Sequence, residues 1–276
     1  MERELKIGFN NEIIINQDSL KKVCYNLNRR EKFLREVDFY LNRHYDFMPK
    51  LYQYNTEYNN MYIIIERIKG YNLFTVWSTL SINDRKQVLI ALKKICDELH
   101  KIRSQENYQY IYLAEFDKYL NIILENNILQ NVDLIQCLLE MREYIKSHFY
   151  MHTCFQIHGD LQFNNVIYVN NDCLKLVDFE HIEFAPIEKE IYSIFRMADA
   201  PYSFINKDNK VIIDSMAFQS IKSIICQLVP DVYNNKYFDY NLFLFEYLNS
   251  MRWIAKYPKH DKYRNVLFNK SKKFIG

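Results

Sequence analysis

The sequence predicts an α+β protein of two lobes, a small antiparallel β-sheet with one helix followed by a larger, mainly helical part. Three observations carry this. Up to Gly70 the chain alternates short apolar stretches with clusters of turn-forming residues. Beyond Gly70 it carries long stretches with apolar residues at helical spacing. One hairpin pattern interrupts those helices. A chain of 276 residues is long enough for two cores. The apolar strand ending at Gly70 places the boundary, giving lobes of 1–69 and 70–276 around one cleft.

The elements follow in order. "ELKIGFNNEIIINQDSLKKVCYN", residues 4–26, reads as short strands broken at "FNN" and "NQD". "RREKFLREVDFYLNRH", 29–44, places Phe33, Val37, Tyr40 and Leu41 on one helical face, and Pro49 lies at or beyond its end. "MPKLYQYNTEYNNMYIIIERIKG", 48–70, reads as strand, polar turn and strongly apolar strand. Amphipathic helices are expected at about 81–103, 112–126, 130–150, 187–199, 212–228 and 240–257. Within them "VIYV" and "CLKLV", joined by "NND", form a two-stranded hairpin.

Composition excludes several classes of function. Lys+Arg of 36 against Asp+Glu of 34 leaves a net charge of +2, so no nucleic-acid partner is expected. The longest apolar runs, such as "YIII" at 62–65, are far too short for a bilayer, and no membrane association is expected. The six cysteines form no C-x-x-C pair, which suits reduced thiols in a cytoplasmic protein.

The hairpin carries the chemistry. Asp160 precedes it, Asn165 enters its first strand and Asp178 leaves its second. A hairpin returns the chain to its start, so these three converge. Two carboxylates and an amide oxygen suit a hard divalent cation and a hydroxyl to be deprotonated. Any one of them alone would more simply cap a strand or turn.

The pattern H-x-D-x-x-x-x-N, a hairpin and then D-F resembles the catalytic and metal loops of the protein-kinase-like fold. With Gly after His, "HGDLQFNNV…LVDFE" resembles the aminoglycoside phosphotransferase and choline kinase-like small-molecule kinases. Gln162 stands where that family usually has a second histidine. The resemblance implies a bilobal protein-kinase-like fold, ATP or GTP with Mg²⁺, Asp160 as catalytic base, and Asn165 and Asp178 as metal ligands. It implies that His158 supports the loop rather than taking part in the chemistry, and that Gly159 gives a tight turn under the transferred phosphate. "ERIKG" resembles the family's hinge, where the backbone of Glu66, Arg67 and Ile68 would hold a nucleobase, with Leu73 following. Leu99-His100 resembles its "LH" signature, and Glu190 stands where an acidic residue opens the next helix. Gly8, Asn10 and Asn11 resemble its phosphate-covering hairpin. Lys22, with Lys21 as the alternative, would take the phosphates, held by Glu36 or else Glu31.

Protein kinases carry Arg where this chain has Gly159, so phospho-activation of that kind is not expected. Only "EHIEFA" separates Phe179 from Pro186, which favours a small acceptor. Between 199 and 246, Asp199, Asp208, Asp214, Asp231, Asp239 and Glu246 face four lysines, among Tyr233, Tyr237, Phe238, Tyr240, Phe243 and Phe245. Such residues suit an ammonium group, and a solvated helix face over a packed core explains them as well. Asp199, Asp231, Glu246 and Trp253 are the acceptor-side candidates. The expected partners are a nucleoside triphosphate and a small hydroxyl acceptor, to a monomer or dimer. The acceptor would be an aminoglycoside-like amino sugar, or else choline, ethanolamine, another amino alcohol or a sugar. A catalytically inactive nucleotide-binding scaffold is the alternative of another class.

Overall fold

Five strands open the chain: β1 (Glu4–Ile7), β2 (Glu12–Ile15), β3 (Ser19–Val23), β4 (Leu51–Asn55) and β5 (Tyr62–Glu66), in the antiparallel order β1-β2-β3-β5-β4. The computed structural model describes residues 4–7, 12–126, 128, 132–151, 153–205, 213–258, 267 and 269. Turn chemistry sets the β2–β3 connection: the Asn16 N–H donates to the Ser19 carbonyl at 2.9 Å, and its side-chain amide reaches the Ser19 hydroxyl at 3.2 Å. In β5 the side chains alternate, with Ile63 and Ile65 buried between half-buried neighbours.

Helix α1 (Arg30–Asn42) buries Phe33, Glu36, Val37, Phe39 and Tyr40. Leu41, expected on that face, is 43% exposed, and Phe39 is buried instead. At about 100° per residue the buried arc is centred between Glu36 and Tyr40, which carries Leu41 outward.

The chain then forms β6 (Tyr71–Asn72), the short α2 (Leu73–Val76), α3 (Ile82–Leu99), β7 (Arg103–Ser104), α4 (Tyr108–Glu125), α5 (Val132–Ser147), β8 (Cys154–Ile157), the hairpin β9 (Val166–Asn170) and β10 (Cys173–Leu176), α6 (Ile187–Asp199), α7 (Ser215–Leu228), α8 (Pro230–Tyr233) and α9 (Phe238–Lys256). Helix α3 starts where Ser81 accepts from the Asp84 N–H at 3.1 Å and donates to the Asp84 carboxylate at 2.6 Å. The two short helices and the β6, β7 and β8 pairings were not legible as elements in the sequence, being brief or set by distant partners.

Two units emerge. The first comprises 1–102, 156–183 and 193–229. Its helical core centres on Trp77, fully buried, whose indole donates to the Ala217 carbonyl at 2.9 Å and whose ring lies 4.7 Å from Phe163. The second comprises 103–155, 184–192 and 230–276. There α4 and α9 are tied by the Tyr112 hydroxyl, donating to the Leu244 carbonyl at 2.7 Å, and by Phe116 stacked on Tyr247. Of the rings weighed as acceptor contacts, Phe238, Tyr240, Phe243 and Phe245 are buried in that core and serve packing, whereas Tyr233 is exposed. All six cysteines are free thiols. Among the described residues no helix is long and apolar enough to cross a membrane.

Candidate active site

Strand β8 delivers the chain to His158, whose Nε2 donates to the Val177 carbonyl at 3.0 Å. Gly159 follows with φ +76°, and a Cβ placed there would stand 1.9 Å from the His181 carbonyl oxygen. Glycine is required on both counts. Asp160 comes next. Its Oδ2 accepts from the side-chain amides of Gln162 (3.1 Å) and Asn165 (3.3 Å), and its carbonyl accepts from the Asn165 amide at 2.8 Å.

The hairpin then closes the loop. The Val177 N–H donates to the Asn165 carbonyl at 3.0 Å, which sets Asp178 beside Asn165. Asp178 adopts φ 67°, ψ 61°, and among the described residues it alone of the non-glycines has positive φ. A left-handed aspartate costs energy that its surroundings must supply. They include Phe179, fully buried, 4.8 Å from Phe39 and 5.6 Å edge-on from Tyr40 of α1.

Lys22 joins these two regions. Its ammonium lies 2.7 Å from Glu36, 2.5 Å from Asp178 and 3.7 Å from Glu180. Strand alternation decides which lysine does this. Lys22 pairs opposite Ile13 and Ile63 and shares the inward face of buried Ile63. Lys21 points the other way, 4.0 Å over the Tyr62 ring. Glu31 is exposed in the first turn of α1, whereas Glu36 is buried.

Two members of the cluster were missed in the sequence. Glu180 pairs with Arg29 as well as Lys22. Glu180 stood in the quoted motif two residues after Asp178, which was the available signal. Arg29 had none, because its partner lies 151 residues away.

The electrostatics follow from one ammonium shared among three carboxylates. Burial works to lower the Lys22 pKa, yet Glu36, Asp178 and Glu180 together hold it above the usual lysine range. Burial pushes Glu36 up to about 7 against the pull of Lys22. Burial also works to raise Glu180, but the His181 ring, Lys22 and Arg29 hold it down at about 2. The Glu36, Asp178 and Glu180 carboxylates lie within 4.8 Å of one another, so the cluster offers hard oxygen donors as well as a cation. Every residue of this site belongs to the first unit.

The hinge candidates run out of β5. The Glu66 N–H donates to the Lys50 carbonyl at 2.8 Å and the Arg67 N–H to the Asp18 carbonyl at 3.1 Å. The Ile68 N–H has no partner among the described residues. Gly70 is held close, since a Cβ there would stand 2.7 Å from the Tyr168 carbonyl oxygen. Leu73 and Leu99 are fully buried, the His100 N–H ends α3 by donating to Cys96, and Glu190 is buried in α6.

The acceptor-side candidates separate. Asp199 is in the first unit and pairs with Lys222 at 2.5 Å. Asp231, Glu246 and Trp253 are in the second, Asp231 exposed, Glu246 half-buried and Trp253 stacked on Tyr257. Gly8, Asn10, Asn11 and Asp208 lie outside the described residues.

No family model and no curated protein sequence matches the chain. Solved structures do. A gentamicin complex of the aminoglycoside phosphotransferase APH(2'')-IIa superposes with TM-score 0.65 at 16% identity, covering 99% of this chain and 90% of that one. The fold is that of the aminoglycoside phosphotransferases. A thermostable APH(4)-Ia mutant with ADP and hygromycin B gives TM-score 0.64 at 11% identity, over 100% and 95% of the two chains. The GDP complex of a mutant aminoglycoside 2'-phosphotransferase-IIIa gives 0.62 at 13%, over 99% and 90%. The aminoglycoside phosphotransferase fold is an α+β, protein-kinase-like fold, as the motif order implied.

Proposed function

We propose that the chain is a small-molecule kinase, transferring the γ-phosphoryl group of ATP or GTP, with Mg²⁺, to a hydroxyl of an amine-bearing acceptor of the aminoglycoside type. The observation that supports this best is the meeting of Lys22, Glu36 and Asp178 within 2.7 Å beside the Asp160–Asn165 pair. Structures of the same fold hold gentamicin, hygromycin B, ADP and GDP, which supports the substrate class and the nucleotide.

The donor set fits Mg²⁺. Asp178 offers a carboxylate, and Asn165, its Nδ2 committed to Asp160, leaves Oδ1 for a cation. These two residues would hold the ion, with Glu180 close by. When bound, Mg²⁺ screens the phosphate charge and orients the transferable group. Lys22, fixed by Glu36, neutralises phosphate oxygens. Asp160 orients the acceptor hydroxyl and takes its proton. The N–H of Ile68 and the carbonyls of the Glu66–Ile68 stretch meet the nucleobase. In this reading residues 1–69 bind nucleotide and 70–276 carry catalysis and the acceptor, with Asp199, Asp231, Glu246 and Trp253 kept as the acceptor-side candidates. A cytoplasmic setting goes with the free thiols.

The deciding experiment follows ATP and GTP consumption with Mg²⁺ against aminoglycosides, choline, ethanolamine and neutral sugars. Phosphate should pass to an aminoglycoside. Efficient transfer to a neutral sugar alone would defeat the acceptor assignment, and binding of neither nucleotide would defeat the kinase reading.

A further inference from the structure

Gln162 sits between the candidate base and the candidate metal ligand, in the position where the resembling family usually carries histidine. Its backbone is extended (φ −130°, ψ 157°), and its side chain turns back to Asp160 two residues earlier. The next residue cannot drift: Phe163 is fully buried, and its N–H donates to the Met197 sulfur at 3.2 Å. From this fixed base the Gln162 amide reaches Asp160 Oδ2 at 3.1 Å, and Asn165 reaches the same oxygen at 3.3 Å.

The other end of the amide is informative. Gln162 Oε1 is buried and finds no hydrogen-bond partner among the described residues. Turning the amide over would set Oε1 against a carboxylate oxygen, two acceptors face to face, so the orientation follows from Asp160. An unpaired buried acceptor is unfavourable for folding. The polar end of Gln162 therefore serves Asp160 rather than the stability of the chain.

We infer that Gln162 is a positioning residue: with Asn165 it occupies Oδ2 of Asp160 and leaves Oδ1 facing the acceptor hydroxyl. The inference rests on the kinase reading for the meaning of Asp160, and on the geometry for the rest. An amide donates at every pH, whereas an imidazole in its place titrates near neutrality. The carboxylate is thus aimed by two groups that do not ionise.

Gln162→Met tests this, since the thioether keeps length and apolar volume but removes the donor. With Mg²⁺ and ATP or GTP, and gentamicin or hygromycin B as acceptor, turnover should fall roughly 10- to 100-fold. The nucleotide KM should stay unchanged and the melting temperature should hold or rise. Gln162→His should recover most of the turnover and add an ionisation near pH ~6.5 to the pH profile. Turnover within about twofold of the natural chain, or a loss matched by a fall in melting temperature, would overturn the inference. Crystal structures of the natural chain and Gln162→Met decide it without any acceptor: a rotated Asp160 carboxylate in the variant supports it, and an unmoved one overturns it. If the natural chain phosphorylates nothing in the panel, the kinase proposal fails while this comparison still decides the role of Gln162.

Discussion

Asp160 and Asp178 flank one hairpin, yet they are held by opposite means. Asp160 is held by neutral amides, while Asp178 is held by an ammonium at 2.5 Å and by a left-handed backbone. Their substitutions should therefore separate. Asp178→Asn should weaken Mg²⁺-dependent nucleotide binding in calorimetry, because a divalent ion loses a charged ligand. Asp160→Ala should leave that affinity nearly intact and lower turnover by roughly 10²–10⁴-fold, the range for a lost general base. Equal weakening of binding by both would contradict the assignment. Glu36 has its own signature. Its pKa is raised from 4.5 to about 7, so the unfolded chain releases this proton first, and the folded chain must later bury the charge. Its contribution to stability is present below about pH 4.5 and is lost as pH rises through about 7. The denaturant midpoint of the natural chain should fall between pH 5 and 8 by an amount equivalent to roughly 1–3 kcal/mol, and Glu36→Gln should remove that slope. A slope that survives the substitution would place the titration elsewhere.

At the scale of elements, the hairpin and the helix α1 divide the work of building the site. The hairpin was legible because its determinants are local: alternating apolar residues, "NND" at the turn, and a register that brings Val177 back to Asn165. Gly159 is the tightest point of this part, with φ +76° and the His181 carbonyl where a Cβ would go. Gly159→Ala should cost on the order of 1–3 kcal/mol from backbone strain alone, with the steric clash added, read as a lower melting temperature together with lost turnover. A stable and active Gly159→Ala chain would contradict the close approach. Helix α1 was legible as a helix, and the resemblance named Glu36 as a partner for Lys22. The packing of Phe39 and Tyr40 on Phe179 was not legible, because helical periodicity carries no information about such partners.

For the whole molecule, the nucleotide is expected to act as a stabiliser. Binding only to the folded chain, Mg²⁺ with ATP or GTP at a hundredfold its Kd should add about 2.7 kcal/mol. That corresponds to roughly 5–10 °C in melting temperature for a chain near this size. The shift should shrink strongly when Mg²⁺ is withheld or Asp178 is Asn; an equal shift without metal would argue against a metal-held phosphate. The α+β class, the order of the strands up to Gly70 and of the longer helices, and the convergence of Asp160, Asn165 and Asp178 were determined by the sequence itself. These depend on contacts between residues near in the chain, where side-chain type and spacing suffice. The tertiary structure alone decided three things. It turned Lys22 rather than Lys21 toward Glu36 and Asp178, because the inward face of β3 is set by its pairing with β5. It added Arg29 and Glu180, because an ion pair spanning 151 residues has no local trace. It turned Phe238, Tyr240, Phe243 and Phe245 into core, because an amphipathic pattern shows that a helix has a buried face and not what covers it.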